Sequence, residues 1–409
     1  MIATTPYNPE TLHKLLIWAS GNFKYLAYFT DNSIAYPNGG FKNQLFAAQN
    51  NISLSEYRSL EDIEVVGIMG YDLKNTIENL SSQNRPIIDH PQQLFFIPEL
   101  KVSFTSQEIV INHPRANDII VELEHSNINF IEKSIGKILH CTSKEEYLNN
   151  VLKIKNHIVE GDVYEINYCI AFEADIQKLS PVDLFLKLMG ESPMPFSTFF
   201  KAEDQYLLCA SPERFIKKEK SKLIAQPIKG TMKRGLTTEE DADLKSQLFT
   251  SEKERAENLM IVDLMRNDLS KVSKTGSVTV DELFGVYTFQ HIHQMISTVS
   301  SEIQDNISFP EIQSSTFPMG SMTGAPKIKC MELIEQYENF KRGWFSGSVG
   351  YLESNGDFDF NVIIRSIFID QSTKKMMFAV GSAITYDADP EQEYEECILK
   401  AKSIFKLLE

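Results

Sequence analysis

The order of the predicted strands and helices indicates an α+β fold for this chain of 409 residues. Residues 1–135 consist mainly of short apolar segments separated by polar turns, which is typical of β-strands. Later segments with apolar residues at helical spacing are interleaved irregularly with further strand candidates. A regular βαβ series would predict a parallel sheet, and this order does not fit one. We therefore expect residues 1–135 to be a mainly β region of the same body as residues 136–409.

The strand candidates are segments rich in β-branched and aromatic residues. In the first region they are residues 26–30, 65–69, 93–96 and 119–123. In the second region they are residues 206–209, 346–352, 361–369 and 375–380. Their irregular placement between the predicted helices favours a mixed body.

The helix predictions depend on apolar spacing and on end signals. Thr142 and Ser143 offer an N-terminal capping box for a helix that Gly161 closes. At the end of the chain, Asp389 can cap a helix whose first turn contains Pro390. The other predicted helices cover residues 252–268 and 326–338, and the last one covers residues 390–408.

The composition limits the possible partners. Lys and Arg number 40 and Asp and Glu number 56, which gives a formal net charge of −16. This charge argues against nonspecific binding to nucleic acid or to an anionic membrane surface. The five cysteines include no CxxC pair, which favours a reducing compartment without disulfides or structural zinc. Neither a secretory signal nor a membrane span is evident. We expect a cytoplasmic protein with neither a nucleic acid nor a membrane as partner.

The most informative residue is a lysine in a short motif. Residues 227–232 read PIKGTM with Lys229 at the centre, and Glu213 belongs to a second compact motif, ASPERF at 210–215. A lysine and a carboxylic acid in such motifs predict covalent chemistry through an amine, with the acid assisting a leaving group. A lysine is nucleophilic only when neutral, so its site should depress the lysine pKa. The alternative is a solvated lysine in a turn.

Two pairs of glutamates have the spacing of one helical turn. Glu254 and Glu257 share one face of a predicted helix. Glu393 and Glu396 repeat this spacing on the last helix, and Lys400 follows one turn later. Two such pairs could close around one Mg²⁺, which takes one or two protein carboxylates and keeps positions for water and substrate. The alternative is two exposed acidic faces with an ordinary Glu396–Lys400 ion pair.

Other positions suit an anionic ligand. The run SMTGAPK at 321–327 is either a helix entry with free N–H groups for a carboxylate or an ordinary helix entry. Arg365, inside a predicted strand, either pairs with Asp357 or Asp359 or binds a ligand carboxylate. Gly381 either permits a close approach of the backbone or ends a strand.

Together these motifs resemble the chorismate-utilising enzymes, and among them the branch formed by component I of aminodeoxychorismate (para-aminobenzoate) synthases. The matching segments follow the family order over roughly residues 140–409: GDVYEIN at 161–167, SPERF at 211–215, PIKGT at 227–231, ERAENLMIVDLMRNDL at 254–269, GAPK at 324–327, Arg365, and EYEE at 393–396 with Lys400. Each motif alone is weak evidence, whereas their joint order is specific. The first third matches loosely, chiefly through GIMGYDL at 67–73.

The resemblance implies a fold and a ligand set. The fold would be an anthranilate-synthase-like body of two facing antiparallel sheets, with helices outside and a central active-site cleft. Residues 136–409 would form the chorismate-binding catalytic domain. One carboxylate of chorismate would be held by Mg²⁺, with Glu257 and Glu396 as direct ligands and Glu254 and Glu393 in support.

The resemblance also implies a reaction, the amination of chorismate at C4 to 4-amino-4-deoxychorismate for the synthesis of para-aminobenzoate and folate. Glu213 would protonate the departing C4 hydroxyl, Lys229 would attack C2, and ammonia would then add at C4 as the lysine leaves. The substrate-binding residues would be Gly230, Thr231, Tyr351, Arg365, Gly381 and Lys400. The ammonia would come from a separate glutamine amidotransferase subunit.

Other branches of the family differ at particular positions. Anthranilate synthases, which aminate at C2, usually carry Ala at the position of Lys229 and an N-terminal LLES motif that is not found here. Isochorismate and salicylate synthases place a water-activating lysine at the position of Glu165. Anthranilate synthase component I is the alternative enzyme. A noncatalytic regulator that binds chorismate is the alternative from another class.

Three departures from the pattern of the branch involve four residues. Glu165 stands where Gln is usual, and Gln294 stands where a His commonly precedes Ile-Ser-Thr. Ser382 and Ala383 stand where Ala-Gly is frequent. These departures bear on the entry of the nucleophile and on backbone contacts with the substrate.

Overall fold

The structure, a computed structural model, describes residues 1–54, 62–128 and 131–409. The α-helices in these residues are α1 (Pro9–Asn22), α2 (Lys74–Ile77), α3 (Ala116–His125), α4 (Lys144–Val159), α5 (Pro181–Glu191), α6 (Thr238–Thr250), α7 (Glu252–Ser270), α8 (Phe309–Thr316), α9 (Lys327–Tyr337) and α10 (Pro390–Leu408). The β-strands are β1 (Ile2–Pro6), β2 (Tyr25–Thr30), β3 (Gln44–Ala48), β4 (Val65–Met69), β5 (Gln93–Phe96), β6 (Leu100–Phe104), β7 (Glu108–Asn112), β8 (Ser134–Ile135), β9 (Leu139–His140), β10 (Glu165–Lys178), β11 (Phe196–Ala202), β12 (Gln205–Ser211), β13 (Arg214–Glu219), β14 (Lys222–Gln226), β15 (Ile228–Lys233), β16 (Thr279–Thr288), β17 (Ile292–Glu302), β18 (Gly324–Ala325), β19 (Ser348–Leu352), β20 (Phe358–Asn361), β21 (Ser366–Asp370) and β22 (Lys375–Ile384).

The strands form two antiparallel sheets. In the large sheet the order is β1-β7-β6-β3-β2-β11-β12-β21-β22-β10-β18, and β8 and β9 also pair with β10. In the small sheet the order is β15-β17-β14-β13-β20-β19-β4-β5, and β16 also pairs with β17. Strands from residues 1–135 and strands from the rest of the chain are hydrogen-bonded within both sheets, for example β2 with β11 and β4 with β19.

The two sheets face each other across a shared apolar core. The rings of Phe29 on β2 and Tyr351 on β19 have centroids 5.1 Å apart. Tyr25 on β2 stacks on Phe96 of β5 at 6.2 Å. One large cluster of buried apolar side chains includes residues of both sheets and of the helices. The expected α+β architecture of two facing antiparallel sheets with helices outside is therefore confirmed.

The end signals of the helices act as predicted. The Asp389 side chain accepts a hydrogen bond from the N–H of Gln392 at the start of α10. The Ser143 hydroxyl accepts one from the N–H of Glu146 at the start of α4, and the chain turns away at Gly161 with a φ of +85°. These caps satisfy N–H groups that have no partner within their own helix. In the described part of the chain, no helix is long and apolar enough to cross a membrane.

Most strand and helix predictions match an observed element. The strands predicted at 26–30, 65–69, 93–96, 206–209, 346–352 and 375–380 correspond to β2, β4, β5, β12, β19 and β22. The helices predicted at 252–268, 326–338 and 390–408 correspond to α7, α9 and α10.

Two strand predictions are wrong. Residues 119–123 lie in α3, where Ile119 and Leu123 are buried one helical turn apart. Their β-branched neighbours concealed this helical apolar face. Residues 361–369 do not form one strand, because β20 ends at Asn361 and β21 begins at Ser366. Between them, Arg365 has a φ of +51°, in the left-handed region that interrupts a strand.

Candidate active site

One cavity of about 380 Å³ collects nearly all the predicted site residues. Its walls come from β15 of the small sheet, β22 of the large sheet, α7 and α10. Every predicted site residue except Tyr351 lines it: Glu213, Lys229, Gly230, Thr231, Arg365, Gly381, Lys400, Glu254, Glu257, Glu393 and Glu396. The volume lies in the usual range for small-molecule sites, about 300–1,000 Å³.

The two glutamate pairs reach the cavity from different sheets. Helix α7 packs on β15 and β17 of the small sheet, whereas α10 packs on β22 of the large sheet. The Ser251 side chain caps α7 by accepting from the N–H of Glu254 at 3.4 Å. Because residues three apart share a helix face, each pair presents both carboxylates to the same side. Segments from the middle and the end of the chain therefore meet around one cavity.

Lys229 lies on β15 and its side chain is only 10% exposed, so it is not a solvated turn lysine. Its ammonium group forms an ion pair with Glu165. Burial lowers the pKa of Lys229, but the carboxylates of Glu165 and Glu257 outweigh burial and raise that pKa to about 12. The predicted depression of the lysine pKa is therefore wrong, because the neighbouring charges are negative. Lys229 needs a proton acceptor before it can act as a nucleophile.

Glu213 lies buried in the turn between β12 and β13. The Ser211 hydroxyl accepts a hydrogen bond from the N–H of Glu213 at 3.2 Å and fixes this turn. Burial raises the pKa of the Glu213 carboxyl to about 7, and the nearby Ser321, Lys229 and Arg365 offset only part of that effect. A carboxyl that keeps its proton near neutral pH can serve as a general acid.

The four glutamates on α7 and α10 form an acidic cluster in which Glu257 and Glu393 are buried, whereas the Glu396 side chain is 45% exposed. Burial raises the pKa of Glu257 to about 7, and it also raises the pKa values of Glu254 and Glu393. The Nζ atom of Lys253 lies 3.4 Å from Oε1 of Glu393 and 3.9 Å from Oε1 of Glu257. Oε1 of Glu257 is buried and has no hydrogen-bond partner among the residues that the structure describes. Such carboxylates favour a bound cation, since one flexible lysine supplies only part of the charge they require.

Glu396 is ionised more easily than the other glutamates of the cluster. Burial opposes its ionisation, but Lys400 outweighs burial and lowers the pKa of Glu396. The two side chains are 2.6 Å apart, so the expected i,i+4 ion pair exists, but in the cavity wall. The donor types and the unpaired oxygen of Glu257 fit Mg²⁺. Among the described residues, no three of these carboxylate oxygens lie within 4.8 Å of one another.

Arg365 lines the cavity without an acidic partner. Asp359 pairs with Arg214 through two hydrogen bonds of 2.8 and 2.9 Å. Asp357 accepts a hydrogen bond from a backbone N–H instead. Of the two alternatives for Arg365, pairing with Asp357 or Asp359 is therefore wrong, and no ion pair of Arg365 occurs in the described part of the chain. Burial lowers the pKa of Arg365 to about 10. A guanidinium without a protein anion suits a ligand carboxylate.

Tyr351 lies outside the cavity, which contradicts its predicted role in orienting a substrate. The residue is 2% exposed and packs against Phe29, Phe41 and Phe46 in the core between the sheets. Its hydroxyl accepts a hydrogen bond from the N–H of Lys42 at 3.2 Å. Side chains alternate between the faces of a strand, and the position of Tyr351 on β19 turns it into the core.

Two glycines allow close approaches at the cavity. Gly230 has a φ of +91°, and a Cβ there would lie 3.0 Å from a carboxylate oxygen of Glu254. A Cβ on Gly381 would lie 2.5 Å from a cysteine sulfur, and the Gly381 carbonyl accepts from Nζ of Lys400 at 2.9 Å. Any other residue would displace these neighbours. The second of the two alternatives for Gly381, a strand end, is wrong because β22 continues to Ile384.

The positions that depart from the family pattern lie in or beside the cavity. Gln294 lines it opposite Thr231 in the β15–β17 ladder. Within the described residues, the buried Oε1 of Gln294 has no hydrogen-bond partner. Ser382 is buried, with its hydroxyl 2.7 Å from that of Tyr147. Ala383 lines the cavity. The amide oxygen of Gln294 is therefore available to a ligand.

The small-residue run at 321–327 has two structural roles. Ser321 lines the cavity. Further along, the backbone of β18 pairs with Glu165 and Ile166 of β10. Helix α9 then begins at Lys327 without a side-chain cap. Part of the run is therefore used in the sheet, which the sequence did not indicate.

Sequence reasoning missed Lys253 and Asn167, which both line the cavity. The spacing of Lys253 to Glu257 is i,i+4 on the predicted helix and could have indicated their proximity. Asn167 ends the GDVYEIN motif, two residues after Glu165. Alternate residues of a strand share a face, so Asn167 lies on the same face of β10 as Glu165, which contacts Lys229 in the cavity wall.

Comparison with known proteins identifies the family of this chain. The chain matches the family described as chorismate binding enzyme over residues 7–406. It belongs to this family. As a member, it is 37% identical over 363 residues to the aminodeoxychorismate synthase, chloroplastic, of Arabidopsis thaliana, covering 83% of this chain and 39% of that protein. The chain thus spans about two fifths of that relative's length.

Two further relatives of this family member carry different names. The aminodeoxychorismate synthase component 1 of Bacillus subtilis is 32% identical over 362 residues, which cover 84% of this chain and 76% of that protein. The anthranilate synthase component 1 of Acetivibrio thermocellus is 31% identical over 378 residues, which cover 84% of this chain and 74% of that protein. The predicted family is confirmed, and the names of these relatives divide between aminodeoxychorismate synthase and anthranilate synthase.

Solved structures confirm the fold of this chorismate binding enzyme. Anthranilate synthase component I from Streptococcus pneumoniae superposes with a TM-score of 0.75 at 24% identity, covering 100% of this chain and 92% of that chain. MenF, the menaquinone-specific isochorismate synthase from Escherichia coli, superposes with a TM-score of 0.78 at 17% identity. The match covers 100% of this chain and 94% of that chain. One fold therefore carries several named activities, and the site residues must distinguish them.

Proposed function

We propose that this protein aminates chorismate at C4 with ammonia to give 4-amino-4-deoxychorismate, as component I of an aminodeoxychorismate synthase. The observation that carries the proposal is a buried lysine, Lys229, in the same cavity as Glu213, whose pKa burial raises to about 7. The relatives named aminodeoxychorismate synthase support this reaction. The relative named anthranilate synthase makes amination at C2 the second candidate.

The proposed reaction assigns one bond change to each catalytic side chain. The neutral amine of Lys229 bonds to C2 while the ring double bonds shift, and Glu213 gives its proton to the C4 hydroxyl, which leaves as water. Ammonia then bonds to C4, the double bonds shift back, and the bond between C2 and the lysine nitrogen breaks. With a pKa of about 7, roughly half of the Glu213 carboxyl is protonated at neutral pH.

The two carboxylates of chorismate require cationic partners in this acidic cavity. Arg365 forms no ion pair among the described residues and can donate two hydrogen bonds to one of these carboxylates. Mg²⁺ would be held by the acidic cluster, with Glu257 and Glu396 as direct ligands and Glu254 and Glu393 in support. When bound, the ion would supply positive charge to the other substrate carboxylate. The unpaired Oε1 of Glu257 supports this assignment.

The remaining cavity residues have proposed positioning roles. Gly230 and Gly381 line the cavity, and their lack of a Cβ lets the backbone pack closely against Glu254 and Cys169 beside the proposed substrate position. Thr231 offers a hydroxyl from β15, and Lys400 offers an ammonium group beside the Gly381 carbonyl. These groups surround the same volume as Lys229 and would fix the distance from its amine to C2.

The test is product analysis with the purified protein, chorismate, Mg²⁺ and an ammonium salt. We expect 4-amino-4-deoxychorismate, identified by mass spectrometry. Lys229→Ala should abolish this product or slow it strongly, whereas Lys222→Ala removes a half-exposed lysine on β14 and should keep full activity. If the wild type forms anthranilate without a lyase, the proposal is wrong and the protein acts as an anthranilate synthase. Full activity of Lys229→Ala would refute the covalent role.

The ammonia source is a separate part of the proposal. We propose that a glutamine amidotransferase subunit supplies it, and relatives from Bacillus subtilis and Escherichia coli with the name component 1 support a second component. With glutamine alone, the chain should give no product. Once an amidotransferase is added, it should form 4-amino-4-deoxychorismate from glutamine. Product from glutamine without any second protein would contradict this proposal.

A further inference from the structure

A buried carboxylate outside the roles proposed above contacts the nucleophile itself. The Glu165 side chain is 0% exposed, and its Oε1 accepts a hydrogen bond from Nζ of Lys229. The Glu165 backbone is held in place by pairing with Ala325 on β18 and by the Cys330 thiol, 3.2 Å from its carbonyl oxygen. A Cβ on Gly324 would lie 2.1 Å from that oxygen, so only glycine permits this packing. The carboxylate therefore has little freedom to move away from Lys229.

The second oxygen of this carboxylate lacks a partner. Oε2 of Glu165 is buried and accepts no hydrogen bond in the described part of the chain. Buried carboxylates are usually stabilised by several donors, and Glu165 depends on Lys229 alone for a side-chain donor. Transfer of one proton from Lys229 to Glu165 would replace two buried charges with two neutral groups. At rest the neighbouring carboxylates outweigh burial and keep Lys229 protonated. A substrate that displaces water from the cavity would raise the desolvation cost of the ion pair and so favour the transfer.

Lys229 has no other ion pair among the described residues that could take its proton. Glu213 must keep its own proton for the C4 hydroxyl in the proposed reaction. Glu257 and Glu254 belong to the acidic cluster, and neither forms an ion pair with Lys229. Glu165 is therefore the carboxylate in the best position, since it is already hydrogen-bonded to the ammonium group.

We propose that Glu165 is the proton acceptor for Lys229, converting its ammonium group into the amine that attacks the substrate. This inference rests on the proposed function, because it concerns the covalent step of that reaction. It reconciles a lysine held as a cation at rest with a lysine that acts as a nucleophile. Substrate that fills the cavity displaces water and increases the cost of the separated charges, which promotes the transfer.

The proton balance closes over one turnover. The transfer gives a neutral lysine amine and a neutral Glu165 carboxylic acid. The amine bonds to C2, the C4–O bond breaks, and Glu213 supplies the proton that makes the hydroxyl leave as water. When ammonia has bonded to C4, the lysine nitrogen takes back the electron pair of its bond to C2 and leaves as an amine. Glu165 then returns its proton to Lys229, and the new C4 ammonium group can reprotonate Glu213.

The competing explanation is that Glu165 serves only as a counter-ion that makes a buried lysine tolerable. Glu165→Gln separates the two explanations, because glutamine accepts a hydrogen bond from Lys229 but does not take up its proton. A counter-ion of this kind holds the lysine protonated, so its removal should leave more neutral amine and give equal or faster attack. Removal of a proton acceptor should instead slow the attack.

The experiment measures the rate at which chorismate and Mg²⁺, without ammonia, add mass to the peptide that contains Lys229. For Glu165→Gln we expect a rate at least about tenfold below that of the wild type at neutral pH. The deficit should shrink as pH rises toward about 9, because hydroxide then removes the lysine proton. The ratio of the two rates cancels the titration of Glu213. Glu165→Asp keeps a proton acceptor and should retain the pH profile of the wild type with an intermediate rate.

Each outcome decides the inference. Adduct formation by Glu165→Gln at or above the wild-type rate at neutral pH overturns it, as does a Glu165→Asp variant that matches Glu165→Gln at every pH. A wild type that makes 4-amino product without any lysine adduct refutes the covalent step of the proposed function, and the inference with it. These results are distinguishable, because the last one is read from the wild type alone.

Discussion

Two kinds of buried charge occur in this protein, and they differ in how completely they are hydrogen-bonded. The guanidinium of Arg342 donates to both oxygens of Glu338 at 2.6 and 2.9 Å and also to two backbone carbonyls. Arg214 is bonded in the same manner to Asp359 and to backbone carbonyls. In both pairs the planar fork of the arginine meets a carboxylate with matching geometry.

The charges of the cavity are bonded much less completely. Oε2 of Glu165 and Oε1 of Glu257 are buried without a hydrogen-bond partner, and Arg365 has no acidic partner among the described residues. Unpaired buried groups cost free energy, so a fold keeps few of them without a reason. The complete pairs therefore stabilise the fold, whereas the incomplete groups are those that a substrate, an ion or a transferred proton would complete.

The largest expected effect tests the incomplete side of this comparison. Glu213→Gln removes the proposed general acid and should reduce turnover by about 10²–10⁴-fold without loss of folding stability. In the wild type, turnover at saturating chorismate should decrease as pH rises through about 7, because the reaction requires the protonated form of Glu213 and burial raises its pKa to that value. Steady-state kinetics across pH measures both effects. Turnover that increases through the same range would contradict the assignment.

The next effect tests the complete side. Glu338→Gln leaves the Arg342 guanidinium buried without its carboxylate and should lower the free energy of unfolding by about 3–5 kcal/mol. The control is Glu332→Gln on α9, whose ion pair with Lys329 is 3.2 Å long and exposed, and which should cost at most about 1 kcal/mol. Urea denaturation of the three proteins gives the comparison. If Glu338→Gln and Glu332→Gln are equally stable, the fully hydrogen-bonded Glu338–Arg342 pair does not contribute more to folding stability than an exposed ion pair.

A smaller effect concerns the acidic cluster. Glu257→Gln should weaken Mg²⁺ binding at least about tenfold, since even residues that only support a metal ligand contribute about 10–100-fold. The readout is the Mg²⁺ concentration that raises the melting temperature, measured without substrate, so that catalysis does not enter. Glu252→Gln, at the start of the same helix and outside the cavity, is the control. An unchanged Mg²⁺ response of Glu257→Gln would exclude this residue as a ligand.

The sequence predicted those parts of the site that depend on local spacing. Glu254 and Glu257, three apart on a helix with a serine cap, were placed on one face, and the family motifs indicated that distant segments converge. The partner of Lys229 could not be predicted, because it depends on how β10 and β15, from different sheets, meet in space. Burial alone would lower the pKa of Lys229, but the neighbouring carboxylates raise it. Local sequence carries no information about those neighbours.

Arg365 shows the same limit in another form. Its apolar neighbours predicted a continuous strand, and two nearby aspartates offered plausible partners in sequence. Arg365 has a left-handed backbone between the end of β20 at Asn361 and the start of β21 at Ser366, and it lines the cavity. Asp359 is already bonded to Arg214. Competition between partners far apart in the chain decided the outcome, and only the three-dimensional arrangement reveals it.

The smallest expected effect concerns Tyr351, where the family resemblance and the structure disagree. Tyr351→Phe removes one hydrogen bond, from the N–H of Lys42, and should cost about 0.5–1.5 kcal/mol of stability with the KM for chorismate unchanged. Thr231→Val, which keeps the shape of a side chain that does line the cavity, should raise that KM instead. A raised KM for Tyr351→Phe at unchanged stability would restore its predicted contact with the substrate. In that case the Tyr351 side chain would have to turn toward the cavity when the substrate binds. Such a movement would break its packing against three phenylalanine rings.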